Sequence, residues 1–196
     1  MGNTHPPVVD QPPNNMPDVT VYATGHSPDG KAVLHSKRPA VFSKHDEDRL
    51  RMAVGWTTSF PSDLNGDADV AVHEKKMSDG PFGLVLKGGT VLRYVDMAPG
   101  YECMMHRTQS VDYGIVLEGE VVGVMGSGEE YVMKRGDVTV QRATMHAWRN
   151  DSETKWARMI FALQDCKPLV VGGKRLGEDL GTGSDVVPAS GNDVDD

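Results

Sequence analysis

Residues 51–163 run as a succession of short apolar or alternating stretches separated by turn residues, with almost no helical periodicity. A chain punctuated in this way has few options. Strands with a side-chain period of two, broken by turn signals every eight to twelve residues or so, favour an antiparallel sandwich or barrel. The expected strands cover 52–60, 70–74, 90–97, 111–117, 120–125, 130–133, 138–141, 146–149 and 156–163. Their joints carry turn chemistry, as in Pro61-Ser62-Asp63, Gly88-Gly89, Pro99-Gly100, Glu118-Gly119, Gly126-Ser127-Gly128, Arg135-Gly136-Asp137 and Asn150-Asp151-Ser152. A short helix is expected over 44–52. No internal repeat is present, so one barrel is expected rather than a tandem pair.

The ends differ in composition. Residues 1–30 carry Pro6, Pro7, Pro12, Pro13, Pro17 and Pro28 with few large apolar side chains, and read as a flexible or wrapping arm. Residues 177–196 are built largely from Gly, Ser, Val and the acidic Glu178, Asp179, Asp185, Asp193, Asp195 and Asp196, and read as a disordered, solvated tail. The barrel with its N-terminal extension is therefore expected within 31–176.

A formal net charge of -8 argues against a nucleic acid or an anionic membrane as partner. The one basic stretch, Lys37, Arg38, Lys44, Arg49 and Arg51, is interleaved with Asp46, Glu47 and Asp48 and reads as a solvated face. No apolar run has the length of a membrane span or a secretory signal, so the expectation is a soluble cytoplasmic protein. Cys103 and Cys166 are too few for a disulfide framework or a cysteine zinc site.

His106, Asp112 and His146 are the chemically informative residues. Two imidazoles and a carboxylate on neighbouring strands can form the facial triad of a mononuclear metal site. An even spacing puts His106 and Asp112 on one face of an unbroken strand, and His146 opens a later strand that the fold must bring near. The same three residues also suit a simpler role as hydrogen-bonded cavity walls, with Asp112 capping a turn or pairing with Arg107. Met104, Thr108, Tyr113 and Trp148 lie close by in sequence and are the candidate substrate-binding residues. Alternation puts Trp148 on the side of His146 and turns Arg149 away.

Over residues 100–150 the sequence resembles the two short motifs of the cupin superfamily. Gly100, His106, Thr108, Asp112 and Gly119 match the first motif; Gly136, His146 and Asn150 match the second. The segment between Gly136 and His146 is one residue short, with Gln141 at the usual proline and Ala143 at the usual glycine. The resemblance implies a single all-β jelly-roll barrel with N- and C-terminal extensions. Metal-binding cupins usually present three histidines and a glutamate. Here Thr108 stands at the middle histidine and Asp112 at the glutamate, which leaves at most His106, Asp112 and His146 as ligands, with an open position on the Thr108 side.

The stretch from His106 to Gly119, with His146-Ala147-Trp148-Arg149-Asn150, is most similar to small single-domain cupin oxidoreductases of fungal specialised-metabolite clusters. That resemblance implies an aromatic or polyketide-derived small-molecule substrate. Three functions remain open: metal-assisted oxidation, with iron or zinc as the divalent ion; a metal-free decarboxylase, dehydratase or isomerase in which a cavity histidine moves the proton; and a non-catalytic binding protein. Residues 31–60 are a candidate arm for a homodimer.

Overall fold

In the computed structural model, which describes residues 11–181 and 186–193, thirteen strands and one α-helix are arranged around two facing antiparallel sheets. The chain opens with a hairpin of β1 (Thr20–His26) and β2 (Ala32–Pro39). Strands β3 (Ser43–His45) and β4 (Leu50–Ser59) follow, then helix α1 (Ala68–Ser78) and β5 (Gly89–Met97). Next come β6 (Ser110–Glu118), β7 (Glu120–Met125), β8 (Glu130–Lys134), β9 (Val138–Arg142), β10 (His146–Arg149) and β11 (Ala157–Asp165). A small hairpin of β12 (Leu169–Val171) and β13 (Lys174–Leu176) ends the series. The larger sheet has the order β3-β4-β5-β11-β6-β9 and the smaller β10-β7-β8. This is the jelly roll that the resemblance implies, built from the antiparallel strands expected from the alternating runs.

Period-two alternation decides which side chains meet between the sheets. Val91, Val116, Val121, Met159 and Phe161 point inward and are buried, so two sheets of modest length share one core. The opposite face of β5 and β11 has its own anchor. Asp96 and Arg158 are register partners, both nearly inaccessible, and form a two-pronged ion pair at 2.6 and 2.7 Å. The segment 11–19 closes over this pair. Asn14 donates to Asp96 at 2.9 Å, Arg158 to the Pro17 carbonyl at 2.6 Å, and the Trp156 indole to the Pro12 carbonyl at 2.8 Å. Residues 11–19 thus lie against the barrel, and the β1–β2 hairpin spans residue 30.

Two local expectations are corrected. Residues 70–74, read as a strand from the alternation around Val70 and Val72, lie inside α1. The buried or half-buried positions along the helix are Ala68, Asp69, Val70, His73 and Lys76, a helical spacing, while Val72 and Met77 are exposed. The helix expected over 44–52 is instead the β3–β4 hairpin, whose turn holds Asp46, Glu47 and Asp48 at positive φ. Side chains hold this turn in place: Asp48 takes a two-pronged ion pair from Arg51, and Asp46 accepts a hydrogen bond from Tyr101.

The acidic C-terminal segment is also docked where it is described. Arg107 and Asp179 exchange backbone hydrogen bonds, Gln109 and Asn192 pair at 2.8 and 2.9 Å, and Val187 is buried in the core. Composition alone could not show this, because a few well-placed apolar and amide groups suffice to anchor a polar segment. The parts of the two terminal readings that concern residues 1–10, 182–185 and 194–196, including Pro6, Pro7, Asp185, Asp195 and Asp196, lie outside the described residues.

Asn150, at the closing position of the second motif, is buried and ties three segments together. Its amide nitrogen donates to the carbonyls of Met97, Ala98 and Lys155, and its oxygen accepts from the Ser152 N–H. Replacing it by Ala strands buried carbonyls, and Asn150→Ala is expected to cost about 3 kcal/mol of stability in urea unfolding. A loss below about 1 kcal/mol would contradict this structural role.

Candidate active site

The two histidines are brought together by backbone, before any side-chain interaction. His106 lies in the loop between β5 and β6 and exchanges two backbone hydrogen bonds with His146 of β10, at 2.8 and 2.9 Å. Their rings consequently sit 4.4 Å apart, tilted by 47°. Each ring is then fixed in the same way. The Nδ1–H of His106 donates to the Met104 carbonyl and that of His146 to the Thr144 carbonyl, both at 2.9 Å. Because a carbonyl only accepts, both Nδ1 atoms carry the proton and each Nε2 of a neutral ring is left with its lone pair. Neither Nε2 has a hydrogen-bond partner among the described residues.

Both rings line an inner cavity of about 80 Å³ between the sheets. Its remaining walls are largely apolar: Leu50 and Met52 from β4, Val95 from β5, Phe161 and Leu163 from β11, Trp148 from β10, and Val186 and Val187 from the C-terminal segment. Trp148 meets His146 edge-on at 5.3 Å, as strand parity requires. Burial among these groups disfavours positive charge. His106 is held below its ordinary pKa, and His146 is pushed down to about 3 by burial and then by the neighbouring His106.

Asp112, inward on β6, lines the same cavity. Its Oδ2 accepts a long hydrogen bond from Thr108 at 3.4 Å, Ser110 donates to Thr108 at 2.7 Å, and its buried Oδ1 has no partner. Burial raises the carboxyl to about 7, against the opposing influence of the neighbouring Ser110 and Thr108 hydroxyls. Arg107 does not pair with it; that guanidinium donates to the Gly177 carbonyl.

Of the substrate-binding candidates, Met104 and Trp148 line the cavity, while Thr108 is buried beside Asp112 and acts through it. Tyr113 is a correction. It follows Asp112 directly, so the period of two turns it outward, and it is 46% exposed. Cys103, not singled out as a site residue from sequence, lines the cavity as a neutral thiol; its burial pushes the pKa to about 12, and its sulfur accepts the Trp148 N–H.

Arg93 was also missed. Its signal was visible: a cation at an inward position of β5 between Val91 and Val95, where alternation calls for an apolar residue.

Among the described residues, no three His, Cys, Asp or Glu side chains converge closely enough to hold a metal ion. His106 and His146 pair, but Asp112, one methylene shorter than the glutamate of the resemblance, turns to Thr108. The donor set therefore does not fit the three-ligand centre expected from sequence.

A jelly roll with paired imidazoles on one wall of an apolar cavity defines a cupin, and the cupin domain model matches residues 93–163. The chain belongs to the cupin family. It is 43% identical over 174 residues to phomopsin biosynthesis cluster protein D of Diaporthe leptostromiformis, covering 87% of this chain and 91% of the relative. It is 40% identical to oryzines biosynthesis cluster protein J of Aspergillus oryzae, covering 87% and 96%. It is 35% identical to the cupin-domain-containing oxidoreductase srdB of Neurospora crassa, covering 91% and 90%. No helix among the described residues is long and apolar enough to cross a membrane.

The buried carboxyl makes stability depend on pH in a defined direction. With its pKa raised in the folded state, Asp112 carries no penalty below its unfolded value of 3.8 and costs progressively more as pH rises through about 7. The histidines act oppositely: their folded pKa values are depressed, so their contribution is present above 6.5 and is lost as pH falls. Asp112→Asn removes only the first effect. The variant is expected to match the parent near pH 4 and to exceed its stability at pH 8, by up to about 4 kcal/mol. A difference that does not change between these pH values would show that the carboxyl is not buried as described.

Proposed function

We propose that this chain is an enzyme of specialised metabolism that moves a proton on a small, largely apolar organic substrate held between the two sheets. The observation that carries this reading is the pair of neutral imidazoles whose unpartnered Nε2 atoms line the cavity with their tautomers fixed by Met104 and Thr144. The names of relatives from biosynthesis clusters support a specialised-metabolite intermediate as the substrate, and the apolar walls with Trp148 and Phe161 favour an aromatic or polyketide-derived one.

In this reading the Nε2 of His106 accepts a proton from an acidic C–H or O–H of the substrate. Asp112, whose carboxyl ionises near neutrality, returns one from Oδ1. His146 stays neutral beside His106, because two imidazolium ions at this separation repel each other, and its Nε2 accepts a hydrogen bond from a substrate hydroxyl. The apolar walls exclude water and keep the transferred proton in the site. Isomerisation, dehydration and decarboxylation all have this form.

The names of several relatives, cupin-domain-containing oxidoreductases, favour a second reading in which the same cavity serves an oxidation. The two differ in what they require. Proton transfer needs no metal or external oxidant.

The intermediate that accumulates when the gene is deleted provides the substrate for a test with purified protein. Turnover is expected to survive exhaustive chelation and exclusion of oxygen, and to fall about 100-fold or more in His106→Gln and in Asp112→Asn. The alkaline limb of the pH–rate profile, set by Asp112 near 7, should disappear in Asp112→Asn. Turnover that stops on chelation and returns with iron or zinc would replace this reading with the oxidative one.

A further inference from the structure

Beside the inner cavity lies an open groove of about 490 Å³, lined by Val41, His45, Phe82 and Pro188 among others. Met52, Arg93, Val186 and Val187 line both spaces, so Arg93 stands where the groove meets the cavity. Arg93 is only 6% exposed. Its Nη2 donates to the Gly83 carbonyl at 3.1 Å, its Nε has no partner, and the Phe82 ring lies 5.8 Å from the guanidinium carbon. Among the described residues it forms no salt bridge. Asp112 is two strands away across β11, facing Thr108.

A buried cation without a counter-ion is costly. Proteins seldom keep one unless something else supplies the charge, and Asp96 and Arg158 on the opposite face of the same two strands show how this chain pairs its other buried guanidinium. Burial alone depresses Arg93 to about 10, and it remains a cation at neutral pH. The remaining cavity walls offer no second cation: the imidazoles are neutral, and the other lining groups are apolar apart from Asp112 and Cys103.

We propose that Arg93 is the anion-binding group of this site and that the ligand carries a carboxylate, which lies on the guanidinium at the junction of groove and cavity. The inference rests on the reading that the cavity takes a small organic substrate, and it adds the substrate's class: an apolar organic acid. A single guanidinium in apolar surroundings suits a monoanion. A phosphate monoester, with a second charge to neutralise, would call for further donors. The body of the ligand extends among Phe161, Leu163 and Trp148 towards the imidazoles, and the carboxylate accepts from the guanidinium of Arg93.

A matched pair of probes tests this on the full-length protein by two-dimensional ¹H–¹⁵N NMR titration: 3-phenylpropionate and its amide, 3-phenylpropionamide, with phenyl phosphate as a third. The parent protein is expected to bind the acid at least about tenfold more tightly than the amide and than phenyl phosphate, with shifts at Phe161 and Val187. Arg93→Met, close to Arg in apolar volume, should bind acid and amide alike. Arg93→Gln, which keeps a donor for the Gly83 carbonyl without the charge, provides the same comparison if Arg93→Met does not fold. Acid and amide that cannot be told apart on the parent protein, whether bound or not, overturn the inference; so does a preference that survives in a folded neutral variant, or tighter binding of phenyl phosphate. The readout is binding alone. Loss of the carboxylate preference leaves the proton-transfer reading standing, and turnover indifferent to His106→Gln leaves the role of Arg93 standing.

Discussion

Everything proposed for the site depends on the antiparallel backbone bridge between His106 and His146. Two hydrogen bonds tie the β5–β6 loop to the first residue of β10, the edge strand of the smaller sheet, and they set the two rings side by side whatever the side chains prefer. The neighbouring Cys103 N–H···O=C Trp148 contact, at 2.9 Å, continues the same seam. Rotamer choice is then removed by the Met104 and Thr144 carbonyls. The loop thus behaves as an added edge of the smaller sheet. Preorganisation of this kind is what allows two buried, uncharged bases to face a cavity at fixed positions.

The surrounding structure sets the charge state of the site. Apolar walls make positive charge on the imidazoles and negative charge on Asp112 unfavourable together, so the empty cavity is close to neutral apart from Arg93. The two faces of the β5–β11 pair treat arginine differently. On the outer face Arg158 is fully paired with Asp96 and roofed by residues 11–19; on the inner face Arg93 has one carbonyl and no carboxylate among the described residues. The first arrangement is complete as it stands, whereas the second is complete only with a ligand.

Much of this was legible in the sequence, because period-two alternation and turn chemistry are local signals. Strands β7 (Glu120–Met125) and β10 (His146–Arg149) were expected at their observed bounds, and β5, β6, β8, β9 and β11 within two residues. Alternation also put Trp148 beside His146. It misled where a segment admits two periods: Val70-Ala71-Val72 alternates, yet Val70, His73 and Lys76 form the face that α1 turns inward. The β3–β4 turn was hidden because three consecutive non-glycine residues at positive φ have no simple sequence signature. The same parity that correctly put Trp148 inward should have excluded Tyr113 once Asp112 was taken as inward, and should have drawn attention to Arg93. Docking of the C-terminal segment depends on long-range partners such as Gln109 with Asn192, which composition cannot reveal.

Proton transfer in this cavity requires both imidazoles to be neutral, protonated on Nδ1, with Nε2 free towards the cavity. Long-range ¹H–¹⁵N correlation spectra of the histidine rings at pH 6, assigned with His106→Gln and His146→Gln, measure this directly. The structure predicts that both rings show the pattern of the Nδ1–H tautomer, with His146 remaining uncharged well below the pH at which a free imidazole takes up its proton. An imidazolium pattern for both rings, or an Nε2–H tautomer in either, would contradict the geometry from which the proposed proton transfer is derived.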